Sequence, residues 1–240
     1  MVTFQALTWE SRDTDDEHLI SIFGKTEEGK SVCLTTAFTP YFFIKLPGNI
    51  TNQKIQRIYD IIDQQCKDSL VAYSVMKSKD VWGFQNNEEF AFMKVNFKHL
   101  QARRLVDSFL RRPLDRTPEL FDIFGVRNVK VYESNLDPVL RLMHRTGIQS
   151  TGWLDTGDKC IRSHLARVDL DLFCNDWTTL KPVVRDDIAP FVVASVDIEC
   201  NSSTGKFPDA DVPGDACFQI AISLCKFGSD EPYDKTCLCY

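Results

Sequence analysis

The sequence predicts a mixed α/β fold of the α+β type. Three observations carry the expectation. Two stretches, 51–66 and 99–112, repeat apolar residues at three and four residue steps, as a half-buried helix does. Short aromatic and β-branched runs bounded by Gly, Pro and Asn read as strands, and from residue 148 onward the chain is strand-rich. With 240 residues, 43% of them hydrophobic, the chain can bury one large or two modest domains.

The run 40–45 (P-Y-F-F-I-K), closed by Pro47-Gly48, reads as a buried strand. Thr51 suits the N-cap of a helix whose Ile55, Ile58, Ile61 and Ile62 share one face and which ends near Cys66. Strands follow at 70–77 and 89–97, joined by a turn-rich stretch, 78–87, that carries Trp82-Gly83-Phe84. The second helix, 99–112, has a stripe of Leu100, Ala102, Leu105, Val106, Phe109 and Leu110, with Pro113 as its stop; a strand at 128–132 comes next. Strand, helix, strand, strand, helix, strand over about 39–133 is the split β-α-β order of ferredoxin-like and RNA-recognition domains. Asn135 or Asp137, with Pro138 in the first turn, starts a short helix to Arg145 that Gly147 ends. Strands are expected at 149–154 and 161–173. The polar segment 181–190 (K-P-V-V-R-D-D-I-A-P) reads as a linker between two domains, 1–185 and 190–240.

Composition narrows the function. No run of about 18 apolar residues is present, so no membrane partner is expected. The N-terminus lacks a basic segment followed by an apolar one, which argues against secretion. A net charge of −6 excludes a surface that grips a polyanion everywhere, yet Lys98, His99, Arg103, Arg104, Arg111, Arg112 and Arg116 cluster. They read either as the solvated face of a helix or as phosphate contacts. The nine cysteines are scattered, with no C-x-x-C clusters. Cys237 and Cys239, two apart, read as small apolar residues on one face of a strand, with zinc or redox chemistry as the alternative. Asp169 and Asp171 are expected on a solvent face opposite Leu170 and Leu172 rather than on a metal. Trp82 and Phe84 are expected to pack on the sheet, with base stacking by Phe84 as the alternative. His18, His99, His144 and His164 lack ligand spacing.

One pair of residues carries chemistry. The apolar run 191–195 leads into Val196-Asp197-Ile198-Glu199-Cys200, and residues two apart in a strand point to the same side. Asp197 and Glu199 therefore share a face, with Val196, Ile198 and Cys200 expected to enter a core. Two acids side by side repel unless a cation neutralises them, and hard oxygen donors suit Mg²⁺ or Mn²⁺. A loop over 201–214 and a second apolar run, 216–227, follow as a hairpin neighbour.

The run 195–200, with Gly205, Phe207-Pro208 and Gln219-Ile220 after it, resembles the first exonuclease motif of family B DNA polymerases, with closest likeness to polymerase delta and the delta-like enzymes of large DNA viruses. Trp82-Gly83-Phe84, the run 132–141 (Y-E-S-N-L-D-P-V-L-R) and 148–153 fit the same family, whereas Asp215-Ala216-Cys217-Phe218 departs from its Asp-Pro-Val-Ile form. The resemblance implies that 190–240 opens an RNase H-like 3′–5′ exonuclease domain. It implies a replicative polymerase acting on primer-template and single-stranded DNA, taking dNTPs and partnered by a sliding clamp, at a nuclear or a viral cytoplasmic replication site. It also implies two Mg²⁺ or Mn²⁺ ions, with Asp197 touching both and Glu199 holding the one that carries the attacking water. The family's later acids come from N-x-x-x-F-D and Y-x-x-x-D patterns, neither of which occurs in 201–240. The 240 residues alone are therefore expected to lack polymerase activity and to show negligible exonuclease activity. The competing expectations are a single-stranded nucleic-acid-binding module that uses Phe84, Arg103 and Arg104, or an interaction scaffold without nucleic-acid contact.

Overall fold

In the computed structural model, residues 1–114 and 117–240 are described. Strands β1 (Thr3–Asp13), β2 (His18–Lys25) and β3 (Ser31–Ala37) form an antiparallel meander.

Next come β4 (Tyr41–Lys45), α1 (Asn52–Cys66), β5 (Leu70–Ser78), β6 (Phe90–Phe97), α2 (Leu100–Leu110), α3 (Pro118–Phe124) and β7 (Val131–Tyr132). Helix α1 begins where expected, with Thr51 Oγ1 accepting from the Lys54 N–H, and ends at Lys67 in the left-handed region. Ile55, Ile58, Ile61 and Ile62 are all buried against the sheet, each contributing about 1.5–3 kcal/mol. The strands lie in the order β5-β6-β4-β7, every pair antiparallel, which is the ferredoxin-like arrangement. Its last strand has two residues where 128–132 were expected, and α3 is an element the sequence reading lacks.

The face of α2 differs from the expected stripe. Leu105 is exposed and Arg103 is buried in its place. His99, the N-cap residue, makes no side-chain cap bond; instead Asp13, at the end of β1, accepts from the Leu100 and Gln101 N–H groups at 2.8 and 3.0 Å. A carboxylate at a helix N-terminus satisfies orphan donors and opposes the helix dipole, so Asp13 joins the two sheets' subdomains.

Helix α4 (Pro138–Thr146) is capped by Asp137, which accepts from the Val139 N–H at 2.8 Å, and closes at Gly147 with φ 75°. Then come β8 (Trp153–Asp155), β9 (Cys160–Arg162), β10 (Leu170–Cys174), a 3-10 turn at Trp177–Thr179, and β11 (Lys181–Val183). They extend the first meander to seven strands, β11-β8-β1-β2-β3-β10-β9, with β10 parallel to β3. Two expectations fail here. Asp169 is exposed, but Asp171 is 4% exposed, because Ala166 folds back to donate its N–H to Asp171 Oδ2 at 2.8 Å. The segment 181–190 is no loose linker: β11 pairs with β8, Trp153 Nε1 donates to the Asp187 carbonyl, and the Arg185 guanidinium stacks 4.0 Å from the Trp153 ring.

Strands β12 (Val192–Asn201), β13 (Ala216–Lys226) and β14 (Asp234–Cys239) form a separate three-stranded antiparallel sheet. Neither buried core of the described residues includes any of its side chains. Among the described residues Val196, Ile198 and Cys200 do not enter a core, contrary to the expectation: Val196 is 62% exposed, Ile198 55%, and Cys200 is half-buried.

Candidate metal and nucleic-acid site

Asp197 and Glu199 sit on one face of β12, as strand alternation requires. Their cross-strand partners on β13 are Ala221 and Gln219, and Cys237 and Cys239 on β14 complete the two rows. Ala221 is too small to cover its neighbour, so the face beside Asp197 is a shallow depression lined by Ser195, Asp197, Ala221, Ser223, Lys235 and Cys237. Asp197 Oδ1 accepts from the Ile198 N–H at 3.0 Å, and both carboxylates are exposed. Lys235 brings a cation to the same depression, a feature that the sequence shows only through alternation with Cys237.

The loop after β12 is held by Asp215, which sequence reasoning noted only as a departure from a motif. Its Oδ1 accepts from the Ser203 N–H and Oγ at 2.6 and 2.7 Å, and its Oδ2 accepts from the Asp209 N–H at 3.0 Å. The Ser203 bonds hold its carboxyl below the usual carboxylate range.

The proposed nucleic-acid residues lie elsewhere and do not converge; no hydrogen bond, ion pair or ring contact joins Phe84 to Arg103 or Arg104 among the described residues. Phe84 is 94% exposed at the β5–β6 tip with Trp82 beside it, so the expectation that both pack on the sheet is overturned. Gly83, at φ 78°, turns the chain so that both rings project outward. Asp80 anchors the tip. It meets Lys45 Nζ, receives the Tyr132 hydroxyl at 2.8 Å, and accepts from the Val81 N–H at 2.7 Å. The Lys45 bond holds the Asp80 carboxyl far below its ordinary value, while burial and the Asp80 bond push Tyr132 up to about 12.

Arg103 is 3% exposed and donates from Nη1 to the Leu136 carbonyl at 2.6 Å, so it is no phosphate contact. Burial, with the nearby Arg141 charge, lowers its pKa. Arg111, just past α2, is exposed but tied to Asp107 and to Ser134 Oγ, whereas Arg104 on α2 and Arg112 beyond its end are exposed; Arg116 lies outside the described residues. The run 132–141 now has a structural explanation. Ser134 receives Arg111, the Leu136 carbonyl receives Arg103, Asp137 caps α4, and Glu133 pairs with buried Arg141.

Residues 129–240 match the family model described as DNA polymerase family B, exonuclease domain. The DNA polymerase of Acanthamoeba polyphaga mimivirus is 29% identical over 97% of this chain, and that of Paramecium bursaria Chlorella virus NY2A 28% identical over all of it. The DNA polymerase delta catalytic subunit of Schizosaccharomyces pombe is 24% identical over 99% of the chain. The chain spans 14%, 25% and 22% of these relatives' lengths, respectively. Among solved structures, the family B DNA polymerase from Pyrobaculum calidifontis superposes with a TM-score of 0.66 at 17% identity, over 99% of this chain and 26% of that one, a likeness of fold. Residues 129–240 are homologous to the exonuclease region of family B DNA polymerases, and the chain as a whole is similar to viral DNA polymerases and to polymerase delta catalytic subunits.

Proposed function

We propose that residues 1–185 are the N-terminal domain, and 190–240 the opening of the RNase H-like 3′–5′ exonuclease domain, of a replicative DNA-directed DNA polymerase. Asp197 and Glu199 are its proofreading metal ligands. The observation that carries this reading is the pair of exposed carboxylates side by side on β12, within the segment that matches the exonuclease family model. The donor set fits hard divalent cations: the acids offer oxygen only, and the small Ala221 leaves room beside them. Two Mg²⁺ or Mn²⁺ ions, when bound, supply Lewis-acid activation of water and neutralise charge at the leaving 3′ oxygen. The chain's own residues bind and orient. Asp197 would contact both ions and Glu199 would hold the one that carries the attacking water, while the Ile198 N–H donates to Asp197 Oδ1 at 3.0 Å. Asp215 ties down the loop that follows β12 through Ser203.

DNA is the substrate on this reading, as primer-template and as single strand, with dNTPs and a sliding clamp as partners of the whole enzyme. A nuclear or viral cytoplasmic replication site follows from the same kinship; among the described residues no helix is long and apolar enough to cross a membrane. The second reading, a non-catalytic module for single-stranded nucleic acid, is favoured by one observation, the projecting Phe84 and Trp82 rings. Nucleotide release from 3′-labelled single-stranded DNA tests the first. The 240-residue chain is expected to release none above background, since it offers two acids of the set. Release that disappears in Asp197→Ala would overturn the half-site.

A further inference from the structure

Cys237 and Cys239 stand on the edge strand β14 with their Sγ atoms 3.7 Å apart, and both are exposed. They share one face of the strand, as alternation requires, and both are exposed among the described residues. Two thiolates about 2.3 Å from a tetrahedral ion would stand about 3.75 Å apart, so the observed spacing is the bite of one soft cation. Gln219 lies against the pair, its Nε2 3.1 Å from Cys237 Sγ. A half-turn of that amide exchanges nitrogen for oxygen and presents an acceptor to the same point.

We propose that Cys237 and Cys239 form a bidentate site for a thiophilic divalent cation of the zinc class. Binding replaces two S–H bonds by two metal–sulfur bonds and releases two protons to solvent, with no change of oxidation state. The Gln219 oxygen and water fill the remaining positions, which makes the site open and exchangeable rather than a closed structural one. The dithiol shares a sheet face with Asp197 but is separated from it by the Ala221 strand, two strand spacings or about 9.6 Å away. Donor softness sorts the two places. Sulfur takes the soft cation and the carboxylates take the hard one, so this site does not depend on the exonuclease reading.

Cadmium chloride titrated into the 240-residue chain, followed by the ultraviolet charge-transfer band of cadmium–thiolate bonds, tests the site. Cys200 and Cys217 are a second, cross-strand pair, so the titration is run in a Cys200→Ser, Cys217→Ser background. The expected result is a band that saturates at one equivalent and is lost both in Cys237→Ser and in Cys239→Ser. The Asp197→Ala change should leave it intact. A band of equal size and midpoint in either single-thiol variant would overturn the proposal, as would saturation only when other cysteines are present.

Discussion

Lys45 Nζ lies 2.6 Å from Asp80 Oδ2, beneath a hairpin tip whose aromatic rings face water. The carboxylate is almost fully buried and also serves the Tyr132 hydroxyl and two backbone N–H groups, so it organises the tip rather than decorating it. Removing its charge leaves those donors short of an acceptor. Asp80→Asn should cost about 2–3 kcal/mol in urea unfolding at neutral pH. The folded state holds this carboxyl below its unfolded value, so the stabilisation is present above the ordinary carboxylate range and fades as pH falls beneath it. The gap between wild type and Asp80→Asn should therefore narrow in acid, and an equal gap at pH 7 and pH 3 would contradict this.

Arg103 and Arg104 are neighbours with opposite assignments. Arg103→Ala leaves the Leu136 carbonyl without its donor and should lower stability by about 1–3 kcal/mol. Arg104→Ala, on the solvated side of α2, should change stability by less than about 0.5 kcal/mol. Thermal unfolding of the two variants side by side decides; equal losses would contradict the assignment.

Phe84→Ala should leave stability within about 0.5 kcal/mol, because the ring packs on nothing. If the tip stacks on bases, affinity for single-stranded DNA should fall about 5- to 150-fold, the range of one lost stacking contact. Unchanged affinity in a fluorescence anisotropy titration would remove the nucleic-acid role of the tip.

Much of the fold was legible where local chemistry decides it. The Thr51 cap and the Ile55, Ile58, Ile61, Ile62 spacing specify α1 without reference to the rest of the chain, and so do Asp137, Pro138 and Gly147 for α4. Features set by distant partners were not legible. Arg103 reads as a surface base until the Leu136 carbonyl, 33 residues on, is seen to receive it. Asp171 reads as solvent-facing until Ala166 folds over it, and 181–190 reads as a linker until Trp153 binds Asp187. For the candidate site, alternation alone put Asp197 and Glu199 on one face. The exposure of Val196 and Ile198 among the described residues, and the dithiol two strands away, depend on pairings that only the sheet reveals.

Asp215→Ala should loosen the loop that follows the acids, since three bonds from Ser203 and Asp209 end on that one carboxylate. Faster amide exchange confined to 202–215, with β1–β3 unchanged, is the expected outcome. Uniform exchange would show that the loop is held by other means.

The most direct measurement is paramagnetic broadening of backbone amide resonances by Mn²⁺, which reports weak binding to half a site. The account expects broadening centred on Asp197, Glu199, Gln219 and Ala221, abolished in Asp197→Ala with the sheet still folded. Broadening centred instead on Asp209, Asp211 and Asp215, or unchanged by the substitution, would contradict the assignment of Asp197 and Glu199 as metal ligands.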